Sequence, residues 1–81
     1  MEQKVKEVMA KIFGVDVSEV ADDASPDTIE NWDSLRHMNL VVALEEQFDV
    51  EFDDEQINQL LNYRLIILTV QELLDTAHLV A

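Results

Sequence analysis

Ser34 and His37 stand three residues apart, a spacing that puts a hydroxyl and an imidazole on one helix face, where a histidine can activate a serine for nucleophilic attack. That chemistry also needs donors arranged around a developing oxyanion, and an 81-residue chain with one glycine has little to build them from. Hydrolysis is set aside. Asp49, Glu51 and Asp53 alternate like the first half of a calcium loop, but the sixth position of such a loop demands glycine and here holds Asp54. This leaves no firm metal site, only weak divalent sites at those three carboxylates. The histidines, at 37 and 78, have no metal-ligand spacing, and a lone glycine cannot form a phosphate-cradling loop.

The formal charge of −13 narrows the partners. Nucleic-acid binding relies on Lys and Arg displacing counterions from phosphates, so nucleic acid is excluded and basic protein surfaces are expected. The acids are concentrated: residues 16–55 hold fourteen of them against one base, Arg36, while the flanks are balanced by Lys4, Lys6, Lys11 and Arg64. Localised charge of this kind reads as a docking surface as well as a solvated one. The absence of cysteine excludes a disulfide scaffold and any thiolate metal site and suits a reducing compartment. With no signal-peptide pattern at Met1-Glu2-Gln3-Lys4 and no apolar run long enough for a bilayer, the expectation is a cytoplasmic protein with no membrane partner. The 48% hydrophobic content supports one folded domain, 1–81, with room for a single core.

The elements that must position these residues are helical. Val5, Val8, Met9, Ile12 and Phe13 form an amphipathic stripe ended by Gly14, a helix over roughly 2–13. Residues 14–33 form a long loop with single helical turns beginning at Asp16-x-x-Glu19 and Ser25-Pro26, and loops of that length usually carry function. A second helix, 34–48, is capped by Asp33 and presents Leu35, Met38, Val41, Val42, Leu44 and Phe48 on a broad apolar face. Asp53-x-x-Gln56 starts a third that fades near Asn62, and the Thr69-x-x-Glu72 capping box starts a last one with His78 in its final turn. Residues 62–68 are rich in β-branched side chains, but a lone strand lacks a partner, so a packed connection or a helix extension is expected. The architecture is all-α, a small four-helix bundle with a long first loop.

Asn31-Trp32-Asp33-Ser34-Leu35, followed by Ala43-Leu44-Glu45-Glu46-Gln47-Phe48, resembles an acyl carrier protein, in which Asp-Ser-Leu opens the second helix and Ala-Leu-Glu-Glu-x-Phe closes it. The resemblance extends over nearly the full chain, including Phe13-Gly14-Val15 at the end of the first helix and the Asp-rich loop. It implies a stand-alone carrier with no catalytic activity, holding acyl groups as thioesters on 4′-phosphopantetheine attached to Ser34. A hydroxyl in a first helical turn is exposed and near free N–H groups and the positive dipole end, as a phosphodiester requires.

The resemblance further makes Asp33 a contact of the phosphopantetheinyl transferase, with capping as a compatible role, and has Leu35 partly bury and partly meet partners. Arg36, His37, Met38 and Val42 join it as docking positions, with core packing an equal reading for the last two. Glu45 and Glu46 would pair with basic residues of acyl-loading and acyl-processing enzymes. Asn31 replaces the family's common glycine and tolerates left-handed backbone, which would preserve the turn. Trp32 packs against His37 or faces a partner. The connection running to Thr69 looks longer than usual. A monomer is expected. Fatty-acid, polyketide and peptidyl or aminoacyl carriers share these features, and an unmodified acidic helical adaptor shares the charge, so the sequence leaves cargo and pathway open.

Overall fold

A computed structural model describes the backbone of residues 1–80 and the side chains of residues 1–76. Among them are four α-helices and one short 3-10 turn, with no strand: α1 (Glu2–Phe13), the 3-10 turn Val17–Glu19, α2 (Ser34–Phe48), α3 (Asp54–Gln59) and α4 (Tyr63–Val80). The expected all-α architecture with a long first loop is what forms.

Helix α1 stops at Gly14, whose φ of 69° reverses the chain and lets the Val15 N–H return to the Ala10 carbonyl at 3.0 Å. The loop that follows is anchored rather than free. Val20, Ala24, Ile29 and Trp32 are all buried, joining Val5, Met9 and Phe13 of α1 in the core. Asn31 does not use the left-handed backbone that it tolerates, since among the described residues Asp49 is the one non-glycine residue with positive φ. Its side-chain amide instead donates to the Phe13 carbonyl at 2.9 Å, tying the end of the loop to the end of α1.

Helix α2 ends in the same way as α1, with Asp49 at φ 54° and the Val50 N–H returning to the Glu45 carbonyl. The chain then runs extended, burying Val50 and Phe52 while Glu51 and Asp53 face solvent, the alternation of an extended strand-like segment. Asp53 and Gln56 form the reciprocal capping box of α3. The three acids suspected of weak metal binding therefore have separate fates: Asp49 terminates one helix, Asp53 caps another, and Glu51 points outward. Among the described residues no three acidic or histidine side chains converge to hold a metal.

The last helix begins earlier than the capping-box pattern suggests. Asn62 is its cap: the side-chain oxygen accepts the Leu65 N–H at 2.8 Å and the backbone carbonyl accepts the Ile66 N–H. Tyr63, Ile66 and Val70 recur at helical spacing and are buried, so tertiary burial continues the helix back through the ambiguous segment, and Thr69 lies buried in its interior. The segment is a helix extension, and the connection from α3 is short rather than long. A backbone bond from the Tyr63 N–H to the Ala24 carbonyl, 2.8 Å, fixes the start of α4 to the first loop. The side chain of His78 lies outside the described residues.

Candidate functional site

The first turn of α2 is built by Asp33. Its extended backbone sets the helix entry, one carboxylate oxygen accepts the Arg36 N–H at 2.8 Å, and its carbonyl accepts the His37 N–H at 2.8 Å. The other carboxylate oxygen meets the Arg36 guanidinium at 3.1 Å, so the acid beside Ser34 is balanced by a base one turn on. Ser34 is exposed as the first residue of the helix. The N–H groups of Ser34 and Leu35 belong to the set that a helix start leaves without intrahelical acceptors, and the macrodipole adds positive potential there.

Below Ser34 lies an open groove of about 390 Å³ between the first loop, α2 and α3. Ser34 and Asp33 form its rim, and Pro26, Trp32, His37, Met38, Ile57 and Leu61 supply most of its wall. Trp32 is its buried floor. The indole packs on Phe13, with ring centroids 5.0 Å apart, and lies edge to edge and nearly coplanar with the His37 ring, at an interplanar angle of 20°. Of the two readings of Trp32, packing against His37 is the one realised.

His37 has both ring nitrogens engaged. The Trp32 indole N–H donates to Nδ1 at 3.0 Å, and Nε2 lies 3.0 Å from the Ile57 carbonyl. An indole N–H can only donate, so Nδ1 accepts, the proton resides on Nε2, and Nε2–H donates to Ile57. The imidazole thus bridges the loop to α3, with both ring nitrogens turned to those partners rather than to Ser34.

The remaining predicted site residues divide. Leu35, Met38 and Val42 are exposed hydrophobics along one side of α2, Leu35 to 71%. Glu46 is exposed, whereas Glu45 is half-buried and accepts the Phe52 N–H at 2.9 Å, so it does not stand free on the helix face. Sequence reasoning missed Ile57 and Leu61 as walls of the groove and Pro26 at its edge. Ile57 lies in α3 and Leu61 two residues beyond its end, and nothing in the chain specified which side of so short a helix would turn toward Ser34.

Residues 3–76 match the family model described as a phosphopantetheine attachment site. The chain belongs to this family. It is also similar to a solved structure, the solution NMR structure of holo acyl carrier protein from Geobacter metallireducens, at 26% identity and a TM-score of 0.83, the match covering 94% of this chain and 87% of that one. The protein is accordingly a carrier of the acyl carrier protein kind rather than an enzyme, and its cofactor is covalently attached 4′-phosphopantetheine. Carriers of this family meet a phosphopantetheinyl transferase and biosynthetic enzymes. No helix among the described residues is long and apolar enough to cross a membrane.

Proposed function

We propose that Ser34 bears the phosphopantetheine arm and that the chain, one carrier domain over 1–81, shuttles acyl thioesters between cytoplasmic enzymes of a fatty-acid, polyketide or related pathway. The observation that carries this reading is the exposed hydroxyl of Ser34 at the first turn of α2. The surroundings fit the group. A phosphodiester on Oγ lies beside the N–H groups of Ser34 and Leu35 and the positive end of the helix. Arg36 offsets the Asp33 carboxylate that would otherwise repel it. When attached, the arm supplies a thiol on which acyl groups are held as thioesters.

Partner docking is assigned to the exposed side of α2 that runs from Ser34 toward the helix C-terminus. Leu35, Met38 and Val42 offer apolar contact, and Glu46 supplies an exposed charge for partners with basic surfaces. Asp33 caps the helix and is also accessible to the transferase, so both of its expected roles are compatible.

Intact mass after incubation with coenzyme A and a phosphopantetheinyl transferase tests the reading. One phosphopantetheinyl group is expected on the wild type and none on Ser34→Ala. Circular dichroism of Ser34→Ala should match the wild type, because Asp33 still caps α2. A wild type left unmodified by several broad-specificity transferases would overturn the carrier assignment at Ser34 and favour an acidic adaptor.

A further inference from the structure

The attached arm and its cargo need an apolar surface, and the molecule has two regions that differ in how open they are. One is the groove below Ser34. The other is the core, where Leu40 and Leu44 of α2, Leu60 just beyond α3 and Ile66 of α4 are fully buried in one cluster. On the α3 side the groove is walled by Ile57, Asn58 and Leu61 while the neighbouring Leu60 is fully buried in the core, and α3 is six residues long. So short a helix has little stability of its own and stays where its tertiary contacts hold it.

At its N-terminus α3 is held by its own capping box; near its C-terminus it is held by His37, which reaches across from α2 to the Ile57 carbonyl. The other side of the same imidazole carries the buried Trp32 N–H. Moving α3 away from α2 breaks the His37 bond to Ile57 and leaves the imidazole Nε2–H and the Ile57 carbonyl without each other. A part-buried donor and acceptor left unpaired oppose that movement, while the Trp32 bond to the other ring nitrogen keeps the imidazole aimed at Ile57. A chain that passes between α2 and α3 into the core separates this pair, whereas a chain lying in the groove leaves it in place.

We propose that His37 is a positioning residue that latches α3 to the first turn of α2 and so confines the cargo of the Ser34 arm to the open groove, making the protein a carrier of short acyl thioesters held outside the helical core. The inference rests on the assignment of the arm to Ser34. The groove lies within the usual range of small-molecule sites and its wall is largely apolar, with Trp32 as a flat floor and Met38 and Leu61 as exposed, adaptable sides. A short acyl group covers this surface. Further methylenes extend past its open side into water and gain nothing from burial.

Butanoyl, octanoyl and dodecanoyl forms, made by transferring the corresponding acyl-phosphopantetheine from acyl coenzyme A, provide the test. In the wild type, butanoyl loading is expected to shift the Trp32 indole N–H and the methyl signals of Met38 and Leu61. Those shifts, and the melting temperature, should change little on going to dodecanoyl, while Leu40, Leu44 and Leu60 methyls stay where they are. In His37→Ala the longer chains are expected to move the Leu40 and Leu60 methyls and to raise the melting temperature with chain length. His37→Gln, whose amide can accept from the indole and donate to Ile57, should restore the wild-type pattern. A merely structural role for His37 would lower the melting temperature of His37→Ala without making it depend on chain length, and that result overturns the proposal. So do interior methyl shifts in the dodecanoyl wild type, a measurement that stands even if His37→Ala folds poorly. Failure to load any form by mass would instead overturn the assignment of the arm to Ser34, and the cargo proposal with it.

Discussion

Glu45 and Glu46 are identical in chemistry and adjacent in sequence, yet only one of them is free to serve a partner. Glu45 satisfies the Phe52 N–H, whose own side chain is buried in the core, while Glu46 is exposed. Truncating Glu45 leaves a partly buried N–H without its acceptor, so Glu45→Ala is expected to lower stability by about 1 kcal/mol. Glu46→Ala should change it by less than about 0.5 kcal/mol, as at an ordinary surface position. Urea unfolding of the two variants checks this, and equal losses would contradict it. In a partner-binding assay the weights reverse, with Glu46→Lys slowing association more than it affects folding. The pair was legible only as a pair. What separates them is the left-handed turn at Asp49, which folds the chain back so that Phe52 meets Glu45, and an aspartate in that conformation carries no marker in sequence beyond its tolerance for it. The Ser34 surroundings were more legible because Asp33, Ser34 and Arg36 interact within one helical turn, where spacing alone dictates contact. The His37 bridge was half legible. Contact with Trp32 follows from closeness in the chain, while the Ile57 carbonyl, twenty positions away, depends on how α3 packs.

At the scale of elements, α1 and α2 matched their apolar periods and stop signals closely, since each is long enough for its stripe to dominate. Helix α4 shows where local pattern is overruled. Thr69 and Glu72 satisfy a capping box on paper, but burial of Tyr63 and Ile66 and the bond from Tyr63 to Ala24 carry the helix back to Asn62. Asn62→Ala is therefore expected to cost about 1 kcal/mol through loss of the cap. Thr69→Val should cost less than about 0.5 kcal/mol, because a helix interior asks nothing of that hydroxyl as a cap. Thermal unfolding of both variants distinguishes the two starts, and the reverse order would restore Thr69 as the cap. A second link joins α1 to the first loop. Lys6 donates to Asp22 at 2.9 Å and its ammonium lies 5.2 Å from the Tyr63 ring centre. The hydrogen bond from Lys6 holds the Asp22 carboxyl below its ordinary value, with the charge of Lys6 acting in the same direction. A depressed carboxyl contributes stability above its unfolded value, about 3.9, and loses it as pH falls through the folded one. Wild type should therefore exceed Asp22→Asn in stability at neutral pH, with the gap closing in acid. Denaturation at the two pH values measures it, and a gap independent of pH would remove the ion pair as its cause.

For the whole molecule the decisive quantity is how the net charge of −13 is carried by so small a body. Fourteen acids lie between residues 16 and 55, and folding brings the loop and α2 that hold most of them onto one core. The number of charges was readable from composition, but their disposition was not, because Asp22, Asp33, Glu45 and Asp53 are each drawn into a specific hydrogen bond while others remain free. Ion pairs offset little of the repulsion. The three among the described residues, Lys4 with Glu7, Lys6 with Asp22 and Arg36 with Asp33, all lie at the surface, where such pairs contribute little to stability. Like charges on the compact fold lie closer together than in the expanded chain, so self-repulsion favours unfolding. Salt screens it over a Debye length of about 8 Å at physiological ionic strength, shorter than the distances across which many of these carboxylates interact. Salt also weakens the three ion pairs and the macrodipole terms at the helix starts, but these are few and short-ranged beside fourteen mutually repelling acids. Added NaCl at neutral pH is therefore expected to raise the melting temperature, steeply at low ionic strength and less so once screening is nearly complete. With no three carboxylates converging on a metal position among the described residues, this rise needs no bound cation. A melting temperature that stays flat or falls as NaCl is added would show that the hydrogen-bonded acids have already relieved the strain that their number implies.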